Sequence, residues 1–292
     1  MRIFVTGAGG MLGSSILRKI RKEKWQVFAT GRKKGRGIVP LDITDYKAVK
    51  KALLEIKPDV IIHLAALTNV DFAELHPQIA RKINTEATQH LAHLAQKMKS
   101  LFVFISTGAV FSGTKRKPYV EKDAISPANA YGMSKLLAEE AVRKIHTYLI
   151  IRTGWLIGGK KKDKKFVAQI MHLIDKEPKV LHVVSDVFGS PTLTDDLADA
   201  IIHLVKKGVT GTYHIANKGI GSRRDIAHMV LNIMKKKHIR LKSVKLGYFN
   251  EVAPRPKMEA LDSTLVYKKH RISLPHWRKS LKKYILQLHE EK

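Results

Sequence analysis

Two residues four apart in SPANAYGMSKLLAEE (126–140) have the types and spacing for proton transfer. On a helix, Tyr131 and Lys135 lie one turn apart on the same face. A free tyrosine titrates at about 10 and is a poor acid–base catalyst at neutral pH; a nearby ammonium favours the tyrosinate and lowers that value. Upstream, FISTGAVFSG (104–113) closes an apolar run with Ser106 and Thr107, and a hydroxyl at a strand end can polarise a substrate carbonyl. The set spells proton donation to a carbonyl that receives a hydride. Two of the smallest residues, Gly108 and Ala109, follow the hydroxyl where a substrate is to be gripped.

Hydride chemistry needs a cofactor, and TGAGGMLG (6–13) has the form of a phosphate turn. Gly7, Gly10 and Gly13 are spaced by three between an apolar strand and a helix. Glycine permits the tight turn and close approach to a pyrophosphate, while the helix start points N–H donors at it. The next strand ends ATGRKKG, with Arg32 and Lys33 where a fold preferring NAD carries an acid. Two cations there suit a 2′-phosphate, so NADPH is the expected cofactor, with NADH the alternative. Asp42 and Ile43 in LDITD border the adenine in this reading, and the small pair Ala65 and Ala66 leaves room for the cofactor backbone.

The elements that position these residues alternate. Strands at 2–6, 25–30, 59–65, 101–106 and 148–153 are separated by helices at 11–22, 45–56, 77–99 and 130–145. Parallel strands need crossover helices, so the pattern predicts an α/β doubly wound parallel sheet of Rossmann type. Residues 1–155 form the dinucleotide-binding domain; 156–292 form mainly a smaller substrate lobe, partly discontinuous, with about 186–220 returning to the main domain. The segment GTYHIA (211–216) reads as one more strand of the main sheet. In the lobe, loops are expected at 158–165 and 184–194, with helices near 194–207, 222–237 and 275–289.

Composition narrows the class. There is no cysteine, hence no disulfide framework or thiolate chemistry, which fits a cytoplasmic protein. No apolar run reaches the ~20 residues that span a bilayer, so no membrane is expected, and no metal cluster stands out. Lys and Arg number 54 against 25 Asp and Glu, a net charge of +29 that favours anionic ligands. These cations are scattered and not interleaved with aromatics, so no specific nucleic-acid partner is expected.

Taken together, TGAGGMLG, LDITD, PDVIIHLAALTNVD, ISTGAVFSG, the YGMSK helix, RTGWLIG and FGSPTLTDDLADAI resemble the extended short-chain dehydrogenase/reductases, most of all their dTDP-4-dehydrorhamnose reductase branch. The resemblance covers most of the chain. It implies NADPH-dependent reduction of the 4-keto group of a nucleotide-linked 6-deoxyhexose, as in dTDP-L-rhamnose synthesis. It casts Tyr131 as proton donor, Lys135 as its partner and cofactor anchor, and Thr107 as the polarising hydroxyl. Gly10, Met11, Leu12, Asp42, Ile43, Ala65, Ala66, Leu67 and Ile105 line the cofactor; Thr107, Gly108 and Trp155 face the sugar nucleotide. Arg255 and Arg152 are candidate clamps for the diphosphate, and a homodimer is compatible with the branch. Two other fates exist among similar proteins: an NADP-binding regulatory subunit like the methionine adenosyltransferase beta subunit, and an epimerase or reductase of another sugar nucleotide. Departures cluster in the substrate wall. Where the family reads S-T-D-Y-V-F-D-G, this chain has Gly108, Ala109 and Ser112 in place of the acid, the aromatic and the second acid. Leu67 replaces an aromatic, and Glu259 stands where the family places a small hydroxyl residue.

Overall fold

The structure is a computed structural model that describes residues 1–163 and 165–290. Seven strands form one parallel sheet: β1 (Arg2–Thr6), β2 (Gln26–Gly31), β3 (Val39–Pro40), β4 (Val60–His63), β5 (Leu101–Thr107), β6 (Tyr148–Thr153) and β7 (Gly211–His214). Their order is β7-β6-β5-β4-β1-β2-β3. The chain therefore reverses its winding at β1, and ligands of such sheets bind outside the carboxyl ends at that switch point. The alternation of β1 explains its two-sided burial. Ile3 and Val5 join Leu12, Ile16, Leu197 and Ile201 on one face, while Phe4 joins Ile61, Leu91 and Phe102 on the other. Strand β4 is buried throughout, as a central strand covered on both faces must be.

The principal helices are α1 (Met11–Ile20), α2 (Tyr46–Ile56), α3 (Ala87–Lys97), α4 (Ala130–Val142), α5 (Phe166–Ile174), α6 (Thr194–Lys206), α7 (Arg223–Ile233) and α8 (Trp277–Glu290). None is long and apolar enough to cross a membrane among the described residues. The helix expected over 77–99 is not continuous: Arg81–Glu86 is a π turn between Pro77–Ala80 and α3. The widened turn directs Asn84 and Thr85 inward, where Thr85 Oγ1 donates to the Ser134 carbonyl at 2.8 Å. The strand expected over 59–65 ends at His63, freeing 64–67 to cross the phosphate turn.

Beyond β6 the chain builds a second core around Ile170, Ile226, Leu281 and Trp277 from α5, α7 and α8. Val180–Val184 and Arg240–Val244 pair in parallel beside it, a strand pair the sequence reading passed over. Phe188–Gly189 and Thr192–Leu193 add two short strands inside the expected 184–194 loop, and Thr264–His270 adds a helical segment. Strand β7 returns to the main sheet beside β6, from Gly211 opposite Leu149 to His214 opposite Arg152. Helix α6 packs on α1, where Ser15 Oγ donates to Asp195 at 2.6 Å and Lys19 pairs with Asp199 at 2.5 Å.

Candidate active site

At the switch point the phosphate turn is shaped by contacts that exclude side chains. Gly7 has φ +64°, and a Cβ there would lie 2.6 Å from the Ala65 amide. At Gly13 a Cβ would lie 2.6 Å from the Gly7 carbonyl oxygen, so helix and turn touch backbone to backbone. Helix α1 has no side-chain cap and no acid in its first turn, whereas Asp45 caps α2 and Asn129 caps α4. Its first N–H groups and positive dipole end are thus left for an anion.

A hydrogen-bond chain ties this turn to the catalytic helix. Thr88 Oγ1 donates to the Asn84 carbonyl at 2.7 Å, so it accepts from His63 Nε2 at 2.9 Å. His63 Nδ1 then accepts from Thr6 Oγ1 at 2.7 Å, and that oxygen accepts the Leu64 and Ala65 amides. Burial, then the charge of Lys135, pushes His63 down to about 3, which fixes the neutral ring this order requires. Asn84 accepts the Leu67 amide at 2.8 Å and donates to the Leu67 carbonyl and Ser134 Oγ at 3.0 and 2.9 Å. Leu67 is therefore held by its backbone. Asn84 was missed by sequence reasoning, because an amide in a predicted helix carries no signal of the π turn that aims it.

Around the expected adenine side, Arg32 and Lys33 are exposed past the end of β2. Asp42 accepts the Thr44 amide and hydroxyl, each at 2.8 Å, and these bonds with a further pull from Arg32 hold it below the usual carboxylate range. The Ile43 side chain points into the core with Phe4 and Val49, leaving only its backbone to border a ligand. Leu12 is likewise a core residue; Met11, Ala66 and Ile105 are half-buried at the edge.

The proton-transfer residues meet at the end of β5. Thr107 Oγ1 accepts the Ala109 amide at 3.1 Å and lies beside the Tyr131 phenol, whose pKa it lowers. Lys135 is buried one turn later, its Nζ 3.9 Å from the Phe104 ring centroid. The expected lowering of Tyr131 by Lys135 is not what the structure shows. Burial pushes Tyr131 up to about 12 despite Thr107, and Glu259 adds to the rise. The same burial pushes Lys135 down to about 7, opposed by Glu139. Phenol and ammonium thus sit with their values driven apart, the tyrosine firmly protonated. Ser106 does not face the site, since its Oγ donates to Glu139 Oε1 at 2.5 Å. Arg152 corrects another expectation: it is buried and forked onto Glu139, with Nε–Oε1 at 2.9 Å and Nη2–Oε2 at 2.7 Å, so it cannot clamp a diphosphate.

The substrate wall is built differently. Gly108 does not open a cavity: a Cβ there would lie 2.9 Å from the Glu259 carbonyl oxygen and 3.5 Å from Leu261. Ala109 is 6% exposed and packed, with Gly132 pressed against its carbonyl. Trp155 adopts a left-handed φ of +47°, a conformation costing a bulky residue roughly 1–3 kcal/mol, with Gly189 against its ring. Its Nε1 donates to Glu259 Oε2 at 2.7 Å, and the Arg223 guanidinium lies 3.8 Å from its ring centroid. Desolvation pushes Arg223 down to about 10, and Arg255 adds to that fall. Arg255 Nη2 pairs with Asp71 at 2.7 Å while its buried Nη1 has no partner. Arg223 and Glu259 were not named as site residues from sequence; only the Glu259 departure hinted at this wall.

A doubly wound sheet with a glycine phosphate turn at its switch point and a Thr–Tyr–Lys set at the next strand ends defines the extended short-chain dehydrogenase/reductase class. The family model of the RmlD substrate binding domain matches residues 1–290. The chain belongs to that family. A crystal structure of a dTDP-4-dehydrorhamnose reductase from Clostridium acetobutylicum is 34% identical, covers 99% of this chain and 100% of its own, and superposes with a TM-score of 0.92. The dTDP-4-dehydrorhamnose reductase from Bacillus anthracis, solved with NADP, is 31% identical with a TM-score of 0.89, covering 98% of this chain and 99% of its own. A probable dTDP-4,6-dihydroxy-2-methyloxan-3-one 4-ketoreductase of Streptomyces antibioticus is 34% identical over 97% of this chain and 94% of its own.

Proposed function

We propose that this protein is an NADPH-dependent reductase of the 4-keto group of a nucleotide-linked 6-deoxyhexose, of the dTDP-4-dehydrorhamnose reductase type and acting in the cytoplasm. The observation that carries the reading is the meeting of Thr107, Tyr131 and Lys135 at the same carboxyl edge of the sheet as the uncapped N-terminus of α1. The site suits a dinucleotide on independent grounds. Thr153 Oγ1 is buried at the end of β6 with no partner, and a Cβ on Gly154 would meet nothing within 4 Å. Both mark a space that awaits a polar ligand. When bound, the cofactor supplies the hydride.

In this reading Gly7, Gly10 and Gly13 with Met11 and Leu12 present backbone to the pyrophosphate, and Arg32 and Lys33 meet the 2′-phosphate. Ala65, Ala66, Leu67 and Ile105 line the path of the cofactor, with Asp42 and Ile43 at the adenine. Thr107 donates to the substrate carbonyl oxygen, and Tyr131, protonated at neutral pH, gives that oxygen its proton. Lys135, near its own midpoint at pH 7 and one helical turn away, can return a proton to the phenolate left behind. Trp155 packs on the sugar nucleotide, and the free Arg255 Nη1 reaches its diphosphate. Residues 1–155 carry the cofactor half and 156–292 mainly the substrate half, with 186–220 returning to the sheet. The test is NADPH oxidation with a panel of dTDP- and UDP-linked 4-keto-6-deoxy sugars. Turnover abolished by Tyr131→Phe supports the reading. NADPH binding without turnover of any keto sugar would transfer support to a regulatory subunit.

A further inference from the structure

The family pattern has a carboxylate at position 108 and a small hydroxyl residue at 259; this chain has glycine at 108 and glutamate at 259. The structure makes the two departures one event, because the Glu259 carbonyl occupies the direction a side chain on Gly108 would take. The intruding segment is fixed on both sides. Glu259 N–H donates to the Phe188 carbonyl at 2.8 Å, Tyr119 N–H donates to the Ala260 carbonyl at 2.8 Å, and Leu261 N–H donates to Ser190 Oγ at 3.1 Å. The carboxylate that this backbone delivers is also aimed. Its Oε2 accepts the Trp155 indole N–H, the Arg223 guanidinium lies over that ring system, and the carboxylate's charge is felt at the Tyr131 phenol. Oε1 takes no hydrogen bond from any described residue.

We propose that Glu259 is a specificity-determining residue of the substrate wall, whose free Oε1 accepts a hydrogen bond from the sugar hydroxyl next to the carbonyl that is reduced. The inference rests on the reductase reading. A carboxylate is an acceptor only, so it selects a hydroxyl over a hydrogen or a second anion at that place. The diphosphate is accordingly kept on the Arg255 side. A sugar lacking the hydroxyl leaves a half-buried charge without its partner, and sites built this way reject the deoxygenated analogue strongly. Burial raises the carboxyl above the usual range, so acid converts it from acceptor to donor at a higher pH than it would a free carboxylate.

The experiment compares dTDP-4-keto-6-deoxyglucose with its 3-deoxy analogue on the wild type, Glu259→Gln and Glu259→Ser, with NADPH affinity measured for each. The wild type is expected to favour the hydroxylated sugar by about 100-fold in kcat/KM. Glu259→Gln keeps an acceptor for Trp155 but loses the charge; KM for the hydroxylated sugar should rise about tenfold with kcat nearly unchanged. A rise of KM with falling pH is expected of the wild type and should be absent from this variant. Glu259→Ser should reduce the discrimination to about threefold or less. NADPH affinity should be equal in all three. Wild-type discrimination retained in both variants would overturn the proposal and leave Glu259 as a brace for Trp155. Failure of the wild type on these sugars and on every keto sugar of the panel, dTDP-4-dehydrorhamnose included, with NADPH bound, would instead sink the reductase reading.

Discussion

The two sides of the cleft are held by different physics. On the cofactor side, Thr6, His63, Thr88, Asn84 and Ser134 form a neutral hydrogen-bond chain, and glycines bring backbone onto backbone. On the substrate side, Trp155, Arg223, Glu259 and Arg255 interact by charge and stacking, with atoms left over on Glu259 and Arg255. A neutral chain with every member satisfied tolerates no exchange of one member without loss. A charged wall with spare donors and acceptors can be rewritten, which is why the departures from the family pattern gather there. The protein keeps the chemistry rigid and lets recognition vary.

The largest test of that contrast is Tyr131→Phe. Removing the proton donor while keeping the ring should lower turnover by ~10²–10⁴, with NADPH affinity unchanged by fluorescence titration. Next comes Lys135→Met. Burial depresses Lys135 from 10.5 to about 7, so the native state binds fewer protons than the unfolded chain between those values. Stability therefore rises with pH across that window, and below it the whole burial penalty is present. The methionine variant should be inactive yet more stable at pH 6 by on the order of a few kcal/mol, with the slope gone, as read by thermal unfolding at several pH values. A smaller effect is expected at Gly108→Asp. Although it restores the family residue, its Cβ must displace the Glu259 carbonyl, so kcat/KM should fall about tenfold. A gain in activity would show that the wall is loose and not filled. Smallest is the pair Arg32→Ala and Lys33→Ala, both exposed, which should narrow the preference for NADPH over NADH by about threefold each. Equal affinity for both cofactors in the unmodified protein would break the cofactor assignment at that edge.

The rigid side was the more legible in sequence, because its devices are local. TGAGGMLG sets its glycines within one turn of chain, and YGMSK places both groups within one turn of helix. What escaped was long-range or out of register. The π turn at Arg81–Glu86 adds a residue to a turn without altering composition, so nothing in the sequence aims Asn84 inward. Nothing in the sequence marks Glu139 as an interior group, yet it is buried under Ser106, Arg143 and Arg152. Arg152 was misread as a clamp for the same reason: sequence shows a cation, not the carboxylate that waits for it. The closeness of Gly108 and Glu259 depends on two loops far apart in the chain, and no periodicity reports it.

The packing of α6 on α1 has a consequence for the order in which the molecule is made. Ser15 waits for Asp195, 180 residues later in the chain, and Lys19 waits equally long for Asp199. Strands β1 to β6 are complete once residue 153 has emerged, but the flank of α1 that carries Ser15, Arg18 and Lys19 then has no cover. At a synthesis rate of ~5–20 residues per second, the interval before α6 can dock lasts some seconds, long compared with helix formation. During that interval the nascent half carries an open seam along Ile16 and Ile20, the residues that later meet Leu197 and Ile201. Basic residues at 18, 19, 21, 22 and 24 fringe that seam. Like charges on neighbouring chains repel, so the basic fringe of the seam disfavours pairing between unfinished chains.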